Sequence, residues 1–411
     1  MRATCLLIVL SFAGCTATPT ETLYAATDWP HFRGPSYQNH VPPDGLDLSL
    51  RDVEQRIVWR KKIGMGYTVA SVAAGRAYTA GWTDGTATLM CLDPATGDTL
   101  WTFDYETLRF NIVPGEPETN QGGPVVTPTI YNKRAYHTTR DGRIFCLDAI
   151  TGTLIWQHTF SDLFDVPQPR WGFSASPVII DGVIYMDLGK IVAMRADNAE
   201  VLWQTKDYTQ SYASPTPFTF KGKDYLAAFP LDGLVVVERG TGKAVAFEPW
   251  ETNPPCHAAS PVVFDGDKIF FSMGFNKGGA VVRFTGDSLE MVWEGKQMCN
   301  TMAMSLYHDG HLYGFDQKVL RCVDANTGEE KWSHRGLGQG SLLAVGDTML
   351  IMSEGGELMS APMSPTAFTP SPKTRLIFET KVWSGPTVAD GRLYARGARG
   401  ELVCVDLRKQ Q

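Results

Sequence analysis

The chain lacks several things whose absence narrows its function. The apolar run at its N-terminus, residues 3–13, is too short to span a bilayer as a helix. Its longest basic run is Arg60, Lys61 and Lys62, and the formal net charge is −7, so a concentrated basic face for nucleic acid is not expected. None of the eight cysteines is adjacent to another and no Cys-x-x-Cys-His occurs, which excludes covalently attached c-type haem. There is no Ser-His-Asp or phosphate-loop pattern, and no second histidine neighbours His257 at metal-binding spacing. No stretch of useful length keeps a helical period. What remains is a chain of 411 residues, 43% hydrophobic and 11% aromatic, with 40 Gly and 25 Pro: ample core and many turns.

A phrase recurs along it. CLDPATGDTLW ends at Trp101, CLDAITGTLIW at Trp156 and CVDANTGEEKW at Trp332. Degenerate copies end at Trp203, Phe247 and Trp293, so the aromatic residues are spaced by 55, 47, 44, 46 and 39 positions, the differences between their numbers. Such periods mean a solenoid, propeller or array whose units bury their faces against neighbours. Upstream of the phrase, SASPVIIDGVIYMDL, AASPVVFDGDKIFFSM, AMSLYHDGHLYGF and GPTVADGRLYARG each place Asp-Gly between two alternating apolar runs. That is a hairpin signal, because both turn positions need φ above zero. Four antiparallel strands per unit follow, the anatomy of a propeller blade.

Trp-type strands are expected near Trp59, Trp101, Trp156, Trp203, Phe247, Trp293, Trp332 and Phe378, and Asp-type strands number eight as well. The two series are out of phase at the ends. IVWRKK (57–62) stands alone at the start and ELVCVDL (401–407) at the end, so their pairing completes the last blade and removes an open edge. The sequence therefore predicts an all-β fold, an eight-bladed propeller over residues 55–411. Asp93, Asp148 and Asp324 are expected to accept N–H groups inside their turns, Gly97, Gly152 and Gly328 to supply left-handed positions, and the tryptophans to wedge between blades. Cys91, Cys146, Cys322 and Cys404 occupy one repeat position and read as small packing residues. Cys256 and Cys299 fall at the start of consecutive repeats and are the one candidate disulfide.

Residues 1–15 read as a secretory signal, with Arg2 as the charged region and Phe-Ala-Gly-Cys as a processing site. The ending resembles a bacterial lipobox with Cys15 as the lipid-anchored residue, although Phe12 stands where Leu is usual and leaves cleavage after Ala17 open. Residues 16–54 form a Thr/Pro-rich tether and a lead-in. Export to the periplasm or outer membrane is the expectation.

Asp-x-x-Thr-Gly-x-x-x-x-Trp, together with the lead-in DWPHFRGP (28–35), resembles the pyrroloquinoline-quinone-like repeat family of quinoprotein-type propellers. The resemblance implies two alternative functions. Quinoprotein alcohol dehydrogenases hold the quinone with Ca²⁺ in the central channel, between a Trp and a disulfide of two adjacent cysteines, with Glu, Asn and Asp on the metal. This chain has no adjacent cysteines, and Glu116, Glu118 and Glu251 show no recognisable Ca²⁺-site spacing. The other branch resembles the lipoprotein subunit of outer-membrane barrel assembly, a noncatalytic scaffold, and implies envelope proteins as partners and no cofactor.

Channel-mouth residues come from the loops before each innermost strand. Those loops carry Arg109, Asn111, Asn120 and Gln121, then Arg170 and Trp171, then Tyr208, Gln210 and Tyr212, and later His257, Asn300, Gln339 and Trp383. A rim of rings, amides and two arginines suits a planar anion or a sugar, and equally a polar lining around water. Glycan binding is thus a third reading beside the scaffold and the dehydrogenase.

Overall fold

A computed structural model describes residues 25, 27–107, 122–379 and 381–409. The Asp-Gly pairs turn as their chemistry requires. Asp181 and Gly182 have φ of 51° and 76°, and Asp265–Gly266, Asp309–Gly310 and Asp390–Gly391 repeat the pair of positive angles. The repeat phrase closes a second turn. Asp148 Oδ1 accepts the Ile150 and Thr151 amides, Asp324 Oδ1 accepts those of Asn326 and Thr327, and Gly97, Gly152 and Gly328 are left-handed.

With both turns fixed, each unit contributes four antiparallel strands, and blade 7 gains a fifth, parallel one from the lead-in. Among the described residues there are eight units: blades 1 to 6 over 71–106, 129–159, 178–204, 216–249, 262–295 and 306–334, blade 7 over 341–375, and blade 8 over 387–406. Blade 8 takes its outer strand, Ile57–Lys62, from the start of the chain, paired antiparallel with Glu401–Asp406 in the register Trp59 to Cys404. The ring is closed by joining the two ends, as the out-of-phase repeats predict. Blade 7 departs from the expectation. Phe378 lies outside any strand and is 68% exposed, and the outer strand is only Thr374–Arg375. Pro365, Pro370 and Pro372 precede it, and each removes an N–H that a ladder would use.

The tryptophans lock neighbouring blades. Trp59 Nε1 donates to Pro94 O, Trp101 to Ala149 O, Trp203 to Arg239 O, Trp293 to Ala325 O and Trp332 to Ser364 O, each at 2.8–3.1 Å and each into the turn of the following blade. The repeat glycine of that turn lies under the indole: a Cβ on Gly152 would sit 2.7 Å from the Trp101 ring. Blade 3 shows the counter-case. Ala199 takes the glycine position at φ 59°, and the facing Trp156 Nε1 has no hydrogen-bond partner among the described residues. Gly152→Ala should therefore cost about 2–3 kcal/mol through backbone strain and the indole clash, whereas Ala199→Gly should gain about 0.5–1 kcal/mol. Chemical denaturation midpoints check both signs. Cys91, Cys146, Cys322 and Cys404 are fully buried free thiols, in keeping with their expected packing role.

The channel wall satisfies its polar atoms from blade to blade. Val69 N donates to Thr127 Oγ1, Thr127 N to Ser176 Oγ, Ser176 N to Ser214 Oγ and Ser214 N to Ser260 Oγ. One level further along the innermost strands, Thr129, Thr216 and Thr387 donate to Pro177 O, Pro261 O and Ala70 O at 2.7–2.9 Å. These hydroxyls tie the innermost strands of blades 8, 1, 2, 3, 4 and 5 into one hydrogen-bonded belt at little cost in space.

One end of the channel is covered by residues 28–41. Trp29 exchanges backbone bonds with Val72 of blade 1, Pro30 O accepts Ile130 N of blade 2, and the Tyr37 hydroxyl donates to Ile179 O of blade 3. Arg33, 1% exposed, donates to Thr216 Oγ1 and Pro215 O of blade 4 at 2.6 and 2.7 Å. His40–Val41 then pairs parallel with the innermost strand of blade 7, Ser341–Val345. The lead-in is a strap across the hairpin ends of the innermost strands.

Candidate functional site

The opposite mouth is left to the loops before the innermost strands. Two aromatic clusters stand there. Trp171 packs at 5.4 Å and 57° against Tyr212, with the exposed Arg170 guanidinium 5.1 Å above its indole. Arg140, from the second hairpin of blade 2, donates through Nε and Nη2 to Trp171 O and so fixes this loop. Trp383 stacks on Tyr67 at 5.9 Å and 19°, with Lys381 Nζ 5.1 Å from its ring. Glu354 pins that side, accepting from Trp383 Nε1 and from the Gln339 amide. Cation–ring contacts of this kind contribute about 0.5–1 kcal/mol each when exposed.

The clusters share one electrostatic neighbour. Burial raises the phenols of Tyr67 and Tyr212, and the positive charge of Arg140 opposes the rise at both. Burial in turn lowers Arg140 to about 10. The Tyr67 hydroxyl is buried with no hydrogen-bond partner among the described residues, a donor and acceptor left over at the mouth.

Of the residues expected at the rim, Arg170, Trp171, Tyr212, Gln339 and Trp383 are brought to the mouth. His257 and Asn300 are not. His257 is fully buried, its Nδ1 on Pro230 O at 2.9 Å, its Nε2 on Thr252 Oγ1 and its ring stacked 4.0 Å from Phe229. Burial lowers it to about 4, so it is a neutral packing residue. Asn300 donates to Phe315 O and accepts from Ser305 Oγ, which consumes its amide. Cys256 and Cys299 are free thiols, pushed up to about 11 and about 12 by burial, and the expected bridge is not formed. Arg109 and Asn120, like Cys15, lie outside the described residues.

Sequence reasoning missed Tyr67, Arg140 and Lys381. Tyr67 was findable: it stands two residues before Val69, as Tyr212 stands two before Ser214 in the same hydrogen-bonded belt. Arg140 comes from a hairpin between the second and third strands, which no repeat position marks as a rim residue.

Below the rim Asp187 is fully buried, accepting from Gly189 N at 3.0 Å and Ser211 Oγ at 2.9 Å. Desolvation raises its carboxyl to about 6. The native state therefore holds this proton where the unfolded chain, near 3.9, has released it. Its contribution is fully present below about pH 4 and is lost as pH rises through about 6. Asp187→Asn keeps an acceptor for Gly189 and a polar partner for Ser211 without the charge. It should stabilise the protein at pH 7 by about 1–3 kcal/mol and not at pH 4. Melting curves at the two pH values decide it.

The fit of the mouth to a quinone with Ca²⁺ is poor among the described residues. Glu354 is committed to Trp383 and Gln339, Asp187 is buried on Gly189 and Ser211, the cations Arg140, Arg170 and Lys381 stand beside the rings, and no group of three His, Cys, Asp or Glu is placed to hold a metal.

Comparison with known proteins agrees with the architecture. The crystal structure of BamB from Moraxella catarrhalis is 15% identical, with 85% of this chain and 99% of that one covered at a TM-score of 0.62. Quinohemoprotein alcohol dehydrogenase from Comamonas testosteroni is 13% identical, with 94% and 81% covered at 0.65. The computationally designed Ika8 protein is 12% identical, with 84% and 98% covered at 0.58. At these identities the likeness shows the fold alone. No curated protein sequence matches the chain. A family model described as outer membrane protein assembly factor BamB matches residues 48–294 and 231–411, in overlapping placements that together span the propeller. The chain belongs to that family of pyrroloquinoline-quinone-like repeat propellers.

Proposed function

We propose that the protein is a noncatalytic binding propeller of the bacterial envelope that receives a partner at its open mouth. The observation that carries this reading is the asymmetry of the channel. One end is spanned by the strap, and the other presents two aromatic clusters, each with a cation over an indole, one held through the Trp171 carbonyl by Arg140 and the other through the Trp383 indole by Glu354. Rings of this kind give contact area at low entropic cost, and arginine adds directional donors. The match to the BamB-described family supports an envelope setting, and the N-terminal signal with Cys15 supports an exported form held by a lipid.

The test places a photo-crosslinking residue at Arg170 and, as control, at Leu202 on the outer wall. Crosslinks to an envelope protein from position 170 alone are expected. Crosslinking only from position 202, or from neither, would count against the mouth. The dehydrogenase reading is tested on the same purified protein with Ca²⁺ and pyrroloquinoline quinone. Neither micromolar binding nor dye-linked alcohol oxidation is expected, and turnover that chelation abolishes would replace the scaffold reading.

A further inference from the structure

Blades 5 and 6 enclose a second concavity on the mouth face, away from the aromatic clusters. Its volume is about 590 Å³, within the ~300–1,000 Å³ range of small-molecule sites. Its walls are fixed before any ligand arrives. Gln317, at φ 51° in the hairpin that joins His311–Asp316 to Val319–Asp324, donates through Nε2 to Asn276 Oδ1 of blade 5 at 3.2 Å. Beneath it Arg321 is held between two acids, with Nε on Asp316 Oδ2 at 2.7 Å and Nη1 on Glu330.

That arrangement engages both nearby carboxylates through one guanidinium. Asp316 is the one carboxylate in its lining, and Arg321 takes it. Three further cations line the same concavity from three separate segments. Lys296 follows the outer strand of blade 5, Lys318 sits in the hairpin, and Arg335 follows the outer strand of blade 6. Among the described residues none of the three has an ion-pair partner, although the chain carries 44 acidic residues against 37 basic ones. These three positive charges face one open cleft, where their fields add on an incoming anion.

We infer that this pocket binds a phosphate-bearing group, with Lys296, Lys318 and Arg335 as its ligands. Two ammonium point charges and a planar guanidinium fork match the several acceptor oxygens of a phosphate monoester or diphosphate. The volume leaves room for the sugar or headgroup that carries it. The site is independent of the mouth clusters and does not rest on the scaffold reading.

The experiment compares the full chain with a Lys296→Gln, Lys318→Gln, Arg335→Gln variant. A control, Lys206→Gln, Lys223→Gln, Lys243→Gln, removes three exposed lysines from blades 3 and 4. Inorganic pyrophosphate is titrated by calorimetry, and flotation is measured with phosphatidylcholine vesicles with and without phosphatidic acid. The pocket variant should bind pyrophosphate about tenfold or more weaker, with the control unchanged and the melting curves of all three alike. Loss confined to phosphatidic acid vesicles would equally support the site and name a lipid headgroup as the source. Binding of neither probe by the parent chain, or equal binding by parent and pocket variant, would overturn the inference.

Discussion

Removing residues 401–411 should leave a chain without a cooperative unfolding transition. The strand Glu401–Asp406 is the third of blade 8, paired with Arg392–Arg396 on one side and with Ile57–Lys62 on the other. Leu402, Val403, Cys404 and Val405 are at most 1% exposed and belong to the core that also holds Trp59, Val388, Leu393 and Tyr394. At about 1.5–3 kcal/mol per buried side chain, the loss is on the order of 10 kcal/mol. That equals the whole stability of a typical fold, about 5–15 kcal/mol. The deletion also frees the N-terminal strand, so blades 1 and 8 lose their join together. Removal of Gln410 and Gln411 alone is the control and should leave melting unchanged. A sharp transition at the parent temperature in the longer deletion would mean that the ring does not depend on its closing strand.

The second large effect is expected at Arg33. Its guanidinium reaches Pro215 O and Thr216 Oγ1, with no carboxylate partner among the described residues, and burial lowers it to about 10. Arg33→Ala removes both bonds, leaves the Pro215 carbonyl without its donor and opens a cavity among Phe32, Tyr37 and the wall. A loss of about 3–5 kcal/mol is expected from the cavity together with the unpaired carbonyl. Arg33→Met refills the volume and removes a costly buried charge, so its loss should be smaller, about 1–2 kcal/mol. Hydrogen exchange separates strap release from general weakening. The amides of Ile130 and Ala344, bonded to Pro30 O and Asn39 O, should lose protection in Arg33→Ala before the rest of the innermost strands. If Ala and Met variants melt alike and those two amides stay protected, the strap is not held through Arg33.

The turns were legible because their causes are local. Asp-Gly demands two positive φ angles whatever surrounds it, and Asp followed by Thr-Gly satisfies its own turn amides. Ring closure was legible from counting, since two orphan strands of complementary type have only each other. Blade 7 was less so: Phe378 fits the spacing, but the prolines before it decide how much outer strand can pair. The candidate site divides the same way. Trp171, Tyr212 and Trp383 follow from loop position, while His257 and Asn300 share that position and point into the wall.

The sequence by itself determined the number of blades, their strand order, both turn types and the seam, because each depends on residues a few positions apart or on a count. Only the tertiary structure decided that residues 28–41 span the channel. Their partners are carbonyls, amides and a hydroxyl on blades as far apart in the chain as Val72 and Val345, and no period in the lead-in announces them. It likewise decided which loop side chains face the mouth, since burial is set by neighbours from other blades. Local chemistry fixes the turn, and the company of distant segments fixes what a side chain can touch.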